Sequence, residues 1–158
     1  MNWDAIGAIA EVVGVIAVIG SVVYVGLQIK QNTTIARANI VHETSVAAIR
    51  IHELVAQDAA LAEIYRKGTN GISLDGTELE RFIALVHIYV TWLEDVDSQY
   101  VAGLYFDEDD DEDLVDYMAR DFAGLFSTHE ARKWWHQGGK LAYRPSFIKK
   151  MDKHVSDT

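Results

Sequence analysis

The 158-residue chain has one Pro, no Cys and 49% apolar residues, and its formal net charge is -10. These values fit one compact helical domain with one separate hydrophobic element. The absence of cysteine excludes disulfides, thiol catalysis and cysteine-type zinc sites. The negative charge argues against nucleic acid as a partner, because phosphate binding requires a basic face. Apolar residues recur at spacings of three and four, without sustained period-two alternation, so the sequence predicts an all-α protein.

The first element is an apolar segment at residues 5–27, in which Glu11 is the only charged residue. A helix of this length spans roughly 34 Å, enough to cross a hydrocarbon core of about 30 Å. Trp3 and Lys30 lie at its two boundaries, where aromatic and basic residues anchor a helix to the membrane surface. We therefore expect residues 1–30 to form a single transmembrane helix that binds membrane lipid.

Two other interpretations of this segment stay open, a buried core helix and a cleaved signal peptide. A signal peptide begins with basic residues, whereas this chain begins with MNWD, which contains an acid and no base. Lys30 and Arg37 follow the apolar segment closely, and no Lys or Arg precedes it. By the positive-inside rule, the N-terminus lies outside and residues 31–158 form a cytoplasmic helical domain.

Small residues recur along one side of the predicted span at intervals of three and four. These residues are Gly7, Ala10, Gly14, Ala17 and Ser21. Helices in lipid associate through close backbone approach, which small side chains permit. The pattern predicts a helix-packing seam, in a homo-oligomer or in a subunit of a larger membrane complex. The alternative is chance, because Gly and Ala are frequent in membrane helices.

Glu11 lies at the flank of this small-residue seam. Ionisable groups at this depth usually face protein or water. One hypothesis places several Glu11 carboxylates near the axis of an oligomer as a cation or proton site. The plainer hypothesis is that Glu11 bonds a neighbouring helix or reaches the outer headgroups.

The run WDAIGAIAEVVGVIAVIGSVVYVGLQIKQNT resembles the N-terminus of a group of small, uncharacterised bacterial proteins. These proteins open with a Trp, an AIGAIAEVVG core and a QI-x-QNT exit. WWHQGG and RPSF near the C-terminus are similar to that group too. The resemblance implies a protein of the bacterial inner (cytoplasmic) membrane with a cytoplasmic helical body, and it implies no activity.

Beyond the span, capping residues and stop signals predict helices at about 33–66, 76–104, 109–126, 128–138 and 145–154. The first helix continues the membrane helix, because QIKQNTTIARA contains neither Gly nor Pro, and it ends at KGTNG. Its predicted inner face contains Ile35, Ala38, Val41, Ser45, Ala48, Ile49, His52 and Val55. The second begins with a capping box formed by Asp75 and Glu78, and STHE at 127–130 is another capping box.

The acidic run at 107–113 lacks the ligand spacing and central Gly of a calcium loop. It suits the start of a helix, where carboxylates complement the dipole. The charge then reverses: residues 31–130 hold six Lys and Arg against twenty Asp and Glu, and residues 131–158 hold seven against two. Either this basic tail clamps onto the acidic helices, or Trp134 and Trp135 lie with its Lys and Arg at the anionic inner leaflet.

Catalytic motifs do not emerge from the sequence. The six histidines are scattered, and no phosphate loop, nucleophile elbow or HExxH motif occurs. We therefore expect no cofactor, no metal and no catalytic residue. The sequence favours a membrane-anchored assembly or interaction protein that self-associates through its span. The alternative function is an oligomeric ion-conducting protein with Glu11 near its axis.

Overall fold

The computed structural model describes residues 2–104 and 114–155, and every regular element in these ranges is helical. The all-α prediction is therefore confirmed. The helices are α1 (Trp3–Gln57), α2 (Ala59–Thr69), α3 (Gly76–Val101), α4 (Leu114–Asp121), α5 (Ala123–Phe126), α6 (His129–His136), a 3-10 turn (Gly139–Ala142) and α7 (Pro145–Val155). The chain divides into two compact units, unit 1 at Met1–Asn39 and unit 2 at Ile40–Thr158.

Unit 1 consists of the N-terminal part of α1. Within the described residues, α1 is the one helix that is long and apolar enough to cross a membrane. Its most apolar window, a stretch of 18 residues, has a mean hydropathy of 2.4, and none of this window is buried. The predicted long apolar N-terminal helix is confirmed, and its passage through a membrane stays a prediction.

A helix boundary at Asp58 was missed by the sequence reasoning. The predicted helix at 33–66 is two helices, because α1 ends at Gln57 and α2 begins at Ala59. The Asp58 side chain accepts hydrogen bonds from the backbone N–H groups of Ala60 and Leu61 and so caps α2. These bonds and the nearby Arg81 hold the pKa of Asp58 below its ordinary value.

The face that α1 buries in unit 2 also differs from the predicted one. Thr44 and Ile51 are buried, whereas Ser45, Ile49 and His52 are exposed. The predicted residues Val41, Ala48 and Val55 are half-buried, so the buried face overlaps the predicted one and is rotated from it by less than the step of about 100° per residue. Thr44 is held by α3, since its hydroxyl donates to the Gln99 side chain at 3.0 Å and its carbonyl accepts from the Trp92 indole at 3.3 Å.

The core of unit 2 is built around α3. Asp75 and Glu78 form the predicted capping box at its first turn, and the helix ends at Val101 rather than at 104. Its buried residues are Phe82, Leu85, Val86, Tyr89, Val90, Leu93, Val96 and Asp97. Burial raises the pKa of Tyr89 to about 12, and its hydroxyl lies 3.5 Å from His52 Nδ1. Helices α2, α4 and α6 all pack against α3.

The C-terminal helices differ from the prediction in their boundaries. The predicted helix at 109–126 is divided near Phe122 into α4 and α5, and its first five residues lie outside the described ranges, as does the acidic run. Thr128, rather than Ser127, caps α6, because the Thr128 hydroxyl accepts from the N–H of Ala131. The structure ends α6 at His136, and α7 covers Pro145–Val155.

Candidate functional site: an exposed apolar helix and a groove

The small-residue seam of α1 is fully open within unit 1. The five seam residues are all exposed, and a Cβ added at Gly7 or Gly14 would meet nothing within 4 Å. The Ser21 hydroxyl donates to the carbonyl of Ala17 at 2.8 Å, so its polar group is satisfied inside the helix. The seam can therefore accept another helix at close range without rearranging its own side chains.

The other predicted residues of the span are exposed as well. Glu11 lies on the outer surface of α1, and so do the boundary residues Trp3 and Lys30. An apolar surface of this extent is costly in water, and such surfaces mark membrane or protein contacts. A soluble core helix would instead be mostly buried, so the lack of burial argues against the core-helix interpretation.

Unit 2 carries an open groove of about 1090 Å³ between α1, α3 and the segment that precedes α7. Its apolar lining comprises Ala47, Ile51, Leu54, Ile88, Trp92 and Ala142, and its polar lining comprises Arg50, His87, Thr91, Glu94, Asp95, Ser98, Tyr143 and Arg144. The α1 and α3 residues recur at three and four positions, because each helix turns one stripe towards the groove. Apolar walls with charged groups at the edge suit a protein segment or an amphiphile.

One wall of the groove is fixed by polar contacts between α3 and the chain before α7. The backbone N–H of Arg144 donates to Glu94 at 2.7 Å, and the hydroxyls of Thr91 and Tyr143 lie 3.2 Å apart. Burial raises the pKa of the Tyr143 phenol above its ordinary value, and the Glu94 carboxylate adds to this rise while the bond to Thr91 opposes it. Tyr143 therefore stays a neutral hydrogen-bonding group.

The charge reversal of the sequence is explained by a clamp within one chain. Asp97 of α3 has no exposed surface, and its carboxylate accepts from Lys150 at 2.6 Å and from Arg144 at 3.2 Å. Asp116 of α4 accepts from Lys153 at 3.3 Å and contacts His154 Nε2 at 2.8 Å. The clamp interpretation is confirmed, because the basic tail folds onto acidic residues of its own chain.

Trp135 belongs to this clamp and not to a membrane surface. Its side chain is 1% exposed, and its indole N–H donates to Asp152 at 2.8 Å. The prediction of Trp135 as a membrane-interface residue is wrong, because the packing of α6 against α3 and α7 buries the indole. Trp134 is partly buried against the core and lies 5.6 Å from the His87 ring, and its interfacial role stays a prediction.

Two histidines of unit 2, His52 and His87, take part in ring contacts. His52 stacks on Phe122 at 6.0 Å, and the His87 ring lies edge-on to Tyr143 at 6.1 Å. In the described part of the chain, no three His, Cys, Asp or Glu side chains come together as metal ligands. These aromatic neighbours explain the positions of His52 and His87 through packing.

The groove and Asp97 were both missed by the sequence reasoning. The groove is assembled from three segments that are far apart in sequence, so no local spacing signals it. Asp97 gave one usable signal, since it follows Leu93 by four residues and Val96 by one and therefore lies on the apolar side of α3.

Comparison with known proteins adds no identification, since no family profile, no curated protein and no solved structure matches the chain.

Proposed function

We propose that this protein is a membrane-anchored helical interaction protein. The observation that carries the proposal is the apolar window of α1, which has a mean hydropathy of 2.4 and is wholly unburied by its own chain. Unit 2, in contrast, has its own core and its own ion pairs. An anchor joined to an independently packed domain is suited to holding that domain at a membrane.

The proposal assigns the seam on α1 to self-association or to a subunit of a larger membrane complex. Gly7 and Gly14 leave their backbone open to close approach, which is the arrangement that favours helix pairs in lipid. The orientation that we propose has unit 2 in the cytoplasm of a bacterial cell and the N-terminus outside the inner membrane. Lys30 and Arg37 support this orientation through the positive-inside rule, and the resemblance to small bacterial proteins supports the bacterial origin. The groove of unit 2 then faces cytoplasmic partners.

Two matched glycine substitutions test the seam. Gly14→Leu fills the centre of the small-residue face, whereas Gly26→Leu introduces the same side chain about 140° from that face. A Cβ at either position meets nothing within 4 Å, so both variants leave the single chain unstrained. We expect the mass of the detergent-solubilised particle to fall to that of one chain for Gly14→Leu and to stay unchanged for Gly26→Leu.

Equal masses for both variants and the parent would exclude the seam as the interface, while a monomeric parent would exclude self-association altogether.

The ion-conducting alternative rests on Glu11, the one charge inside the apolar window. Reconstituted liposomes test it, because conduction through Glu11 predicts a cation flux that Glu11→Gln removes. The interaction function predicts no flux from either protein.

A further inference from the structure

The turn between α6 and α7 presents the most exposed large apolar side chain of the described residues. Leu141 lies in the 3-10 turn Gly139–Ala142 and is 83% exposed. Ala142 and Pro145 beside it are exposed as well. The tip of this turn is therefore an apolar projection from unit 2, and it lies outside the groove lining except for Ala142.

The turn is rigidly attached to the core behind it. Gly138 has a φ of 136°, which a residue with a side chain rarely adopts. Gly139 is packed so closely on Trp134 that a Cβ would lie 2.5 Å from the indole. The N–H of Leu141 donates to the carbonyl of Gly138 at 3.0 Å. Leu141 is thus held outward by the backbone, and its exposure is a property of the fold.

The helices on both sides of the turn each carry an exposed lysine. Lys140, Arg144, Lys150 and Lys153 are each engaged by a carboxylate of unit 2. Lys133 of α6 and Lys149 of α7 are exposed, and no carboxylate of the described residues lies within ion-pair distance of either. Each lies two residues from core positions on both sides, at Ala131 and Trp135 or at Phe147 and Met151, and so points outward.

We propose that this turn docks on an anionic bilayer surface, with Leu141 entering the boundary between headgroups and acyl chains. An exposed apolar tip, with an exposed lysine on each of the two adjoining helices, is complementary to that boundary, because the tip leaves water while the cations contact lipid phosphates. The inference rests on the proposed function, since the anchor keeps unit 2 near a bilayer. Tethering raises the local concentration of the surface, so even a weak contact is occupied.

Spin labelling of the full chain tests the contact directly, because the native chain has no cysteine. Leu141→Cys carries the label, and Ile72→Cys is the matched control, since Ile72 is an exposed apolar residue in another loop of unit 2. The chain is reconstituted in vesicles of phosphatidylcholine with phosphatidylglycerol or of phosphatidylcholine alone. Accessibility to oxygen and to a water-soluble nickel chelate then reports whether the label lies in lipid or in water.

We expect the label at position 141 to favour oxygen in the anionic vesicles and the label at position 72 to favour nickel. Adding Lys133→Gln and Lys149→Gln should weaken the docking equilibrium roughly thirtyfold and so lower the oxygen-to-nickel ratio at position 141. A nickel-accessible label at position 141 in both lipids overturns the proposal. So does a ratio that is equally high without anionic lipid, because the charge argument then fails.

A label that is shielded from both reagents and shows dipolar broadening would also overturn the proposal, since it indicates contact with a second copy of the chain. Failure of the anchor itself gives a different result. In that case the chain is not recovered with the vesicles at all, whereas failure of the turn alone leaves the chain in the vesicles with the label at position 141 in water.

Discussion

The two units of the chain treat their apolar residues in opposite ways. In unit 1 the apolar side chains of α1 are exposed, whereas unit 2 buries Phe82, Leu93 and Trp135 almost completely. Unit 2 also satisfies its buried charge, because Asp97 is paired with Lys150. Unit 2 is therefore stabilised by its own residues, whereas the chain leaves the apolar surface of unit 1 uncovered. Substitutions in unit 1 should therefore leave the unfolding stability of unit 2 unchanged, and substitutions in unit 2 should leave membrane retention unchanged.

The largest effect is expected from placing charge in the middle of the apolar window of unit 1. Ile16→Arg combined with Ile19→Arg costs about 3 kcal/mol per residue at the centre of a membrane helix. We expect the double variant to leave the membrane fraction and to be extracted by carbonate, while unit 2 keeps its unfolding transition. The control Ile16→Leu with Ile19→Leu should be retained. If the arginine variant resisted carbonate extraction, positions 16 and 19 would not face the hydrocarbon core, and lipid would not be what covers this part of α1.

The next largest effect is expected in unit 2, from removing the partner of a buried charge. Lys150→Ala leaves Asp97 with Arg144 alone, and loss of one member of a buried pair costs roughly 3 kcal/mol. Denaturant unfolding followed by tryptophan fluorescence measures this loss. Membrane retention should not change, which is the converse of the first prediction.

Lys153→Ala is the matched control for Lys150→Ala. Lys153 pairs with Asp116, but its side chain is 61% exposed, and such pairs contribute less than about 1 kcal/mol. Equal losses for the two variants would show that the burial of Asp97 does not distinguish the two ion pairs.

A smaller effect is expected from closing a tight contact between α2 and α3. Gly68 packs on Phe82 so closely that an added Cβ would overlap the ring. Gly68→Ala should therefore destabilise unit 2 by about 1–3 kcal/mol, the usual cost of overpacking. At Gly76, in the first turn of α3, a Cβ meets nothing, so Gly76→Ala should be neutral or slightly stabilising in the same denaturant experiment. Destabilisation by both would indicate a backbone effect instead of overpacking.

The features that could be predicted from the sequence depend on neighbouring residues. The capping box at Asp75 and Glu78 and the long apolar run of α1 are local patterns, and both are present. The charge reversal near residue 130 was also informative, because opposite net charges in two segments favour their contact. The reversal indicated the clamp but did not identify Asp97 as its buried centre, because the burial of Asp97 depends on how closely α7 packs against α3.

The features that were missed depend on tertiary contacts. Asp58 ends α1 without a Gly or Pro, and its capping role is visible only once Arg81 and the N–H groups of α2 surround it. The buried face of α1 in unit 2 was predicted only in part. Val41, Ala48 and Val55 are half-buried as expected, but Ile51 and Thr44, which Gln99 and Trp92 of α3 hold in place, had not been assigned to that face. The groove was missed for the same reason. Its lining depends on which face α1 turns towards α3 and on where the tertiary fold places Tyr143.

The smallest effect is expected from the pH dependence of the pair between α4 and α7. Burial alone would raise the pKa of Asp116, but hydrogen bonds from His154 and Lys153 outweigh it, and the pKa lies below the ordinary value of 3.8. A lowered pKa in the folded state stabilises the fold above the ordinary value, and this stabilisation is lost as the pH falls through the folded pKa. Thermal unfolding between pH 6 and pH 3, a range chosen around the reference carboxyl pKa of about 3.9, should therefore show a smaller decrease in stability for Asp116→Asn than for the parent. Asp95→Asn, at an exposed groove residue, should follow the parent, and identical profiles for all three proteins would show that the pair does not contribute to the acid sensitivity of unit 2.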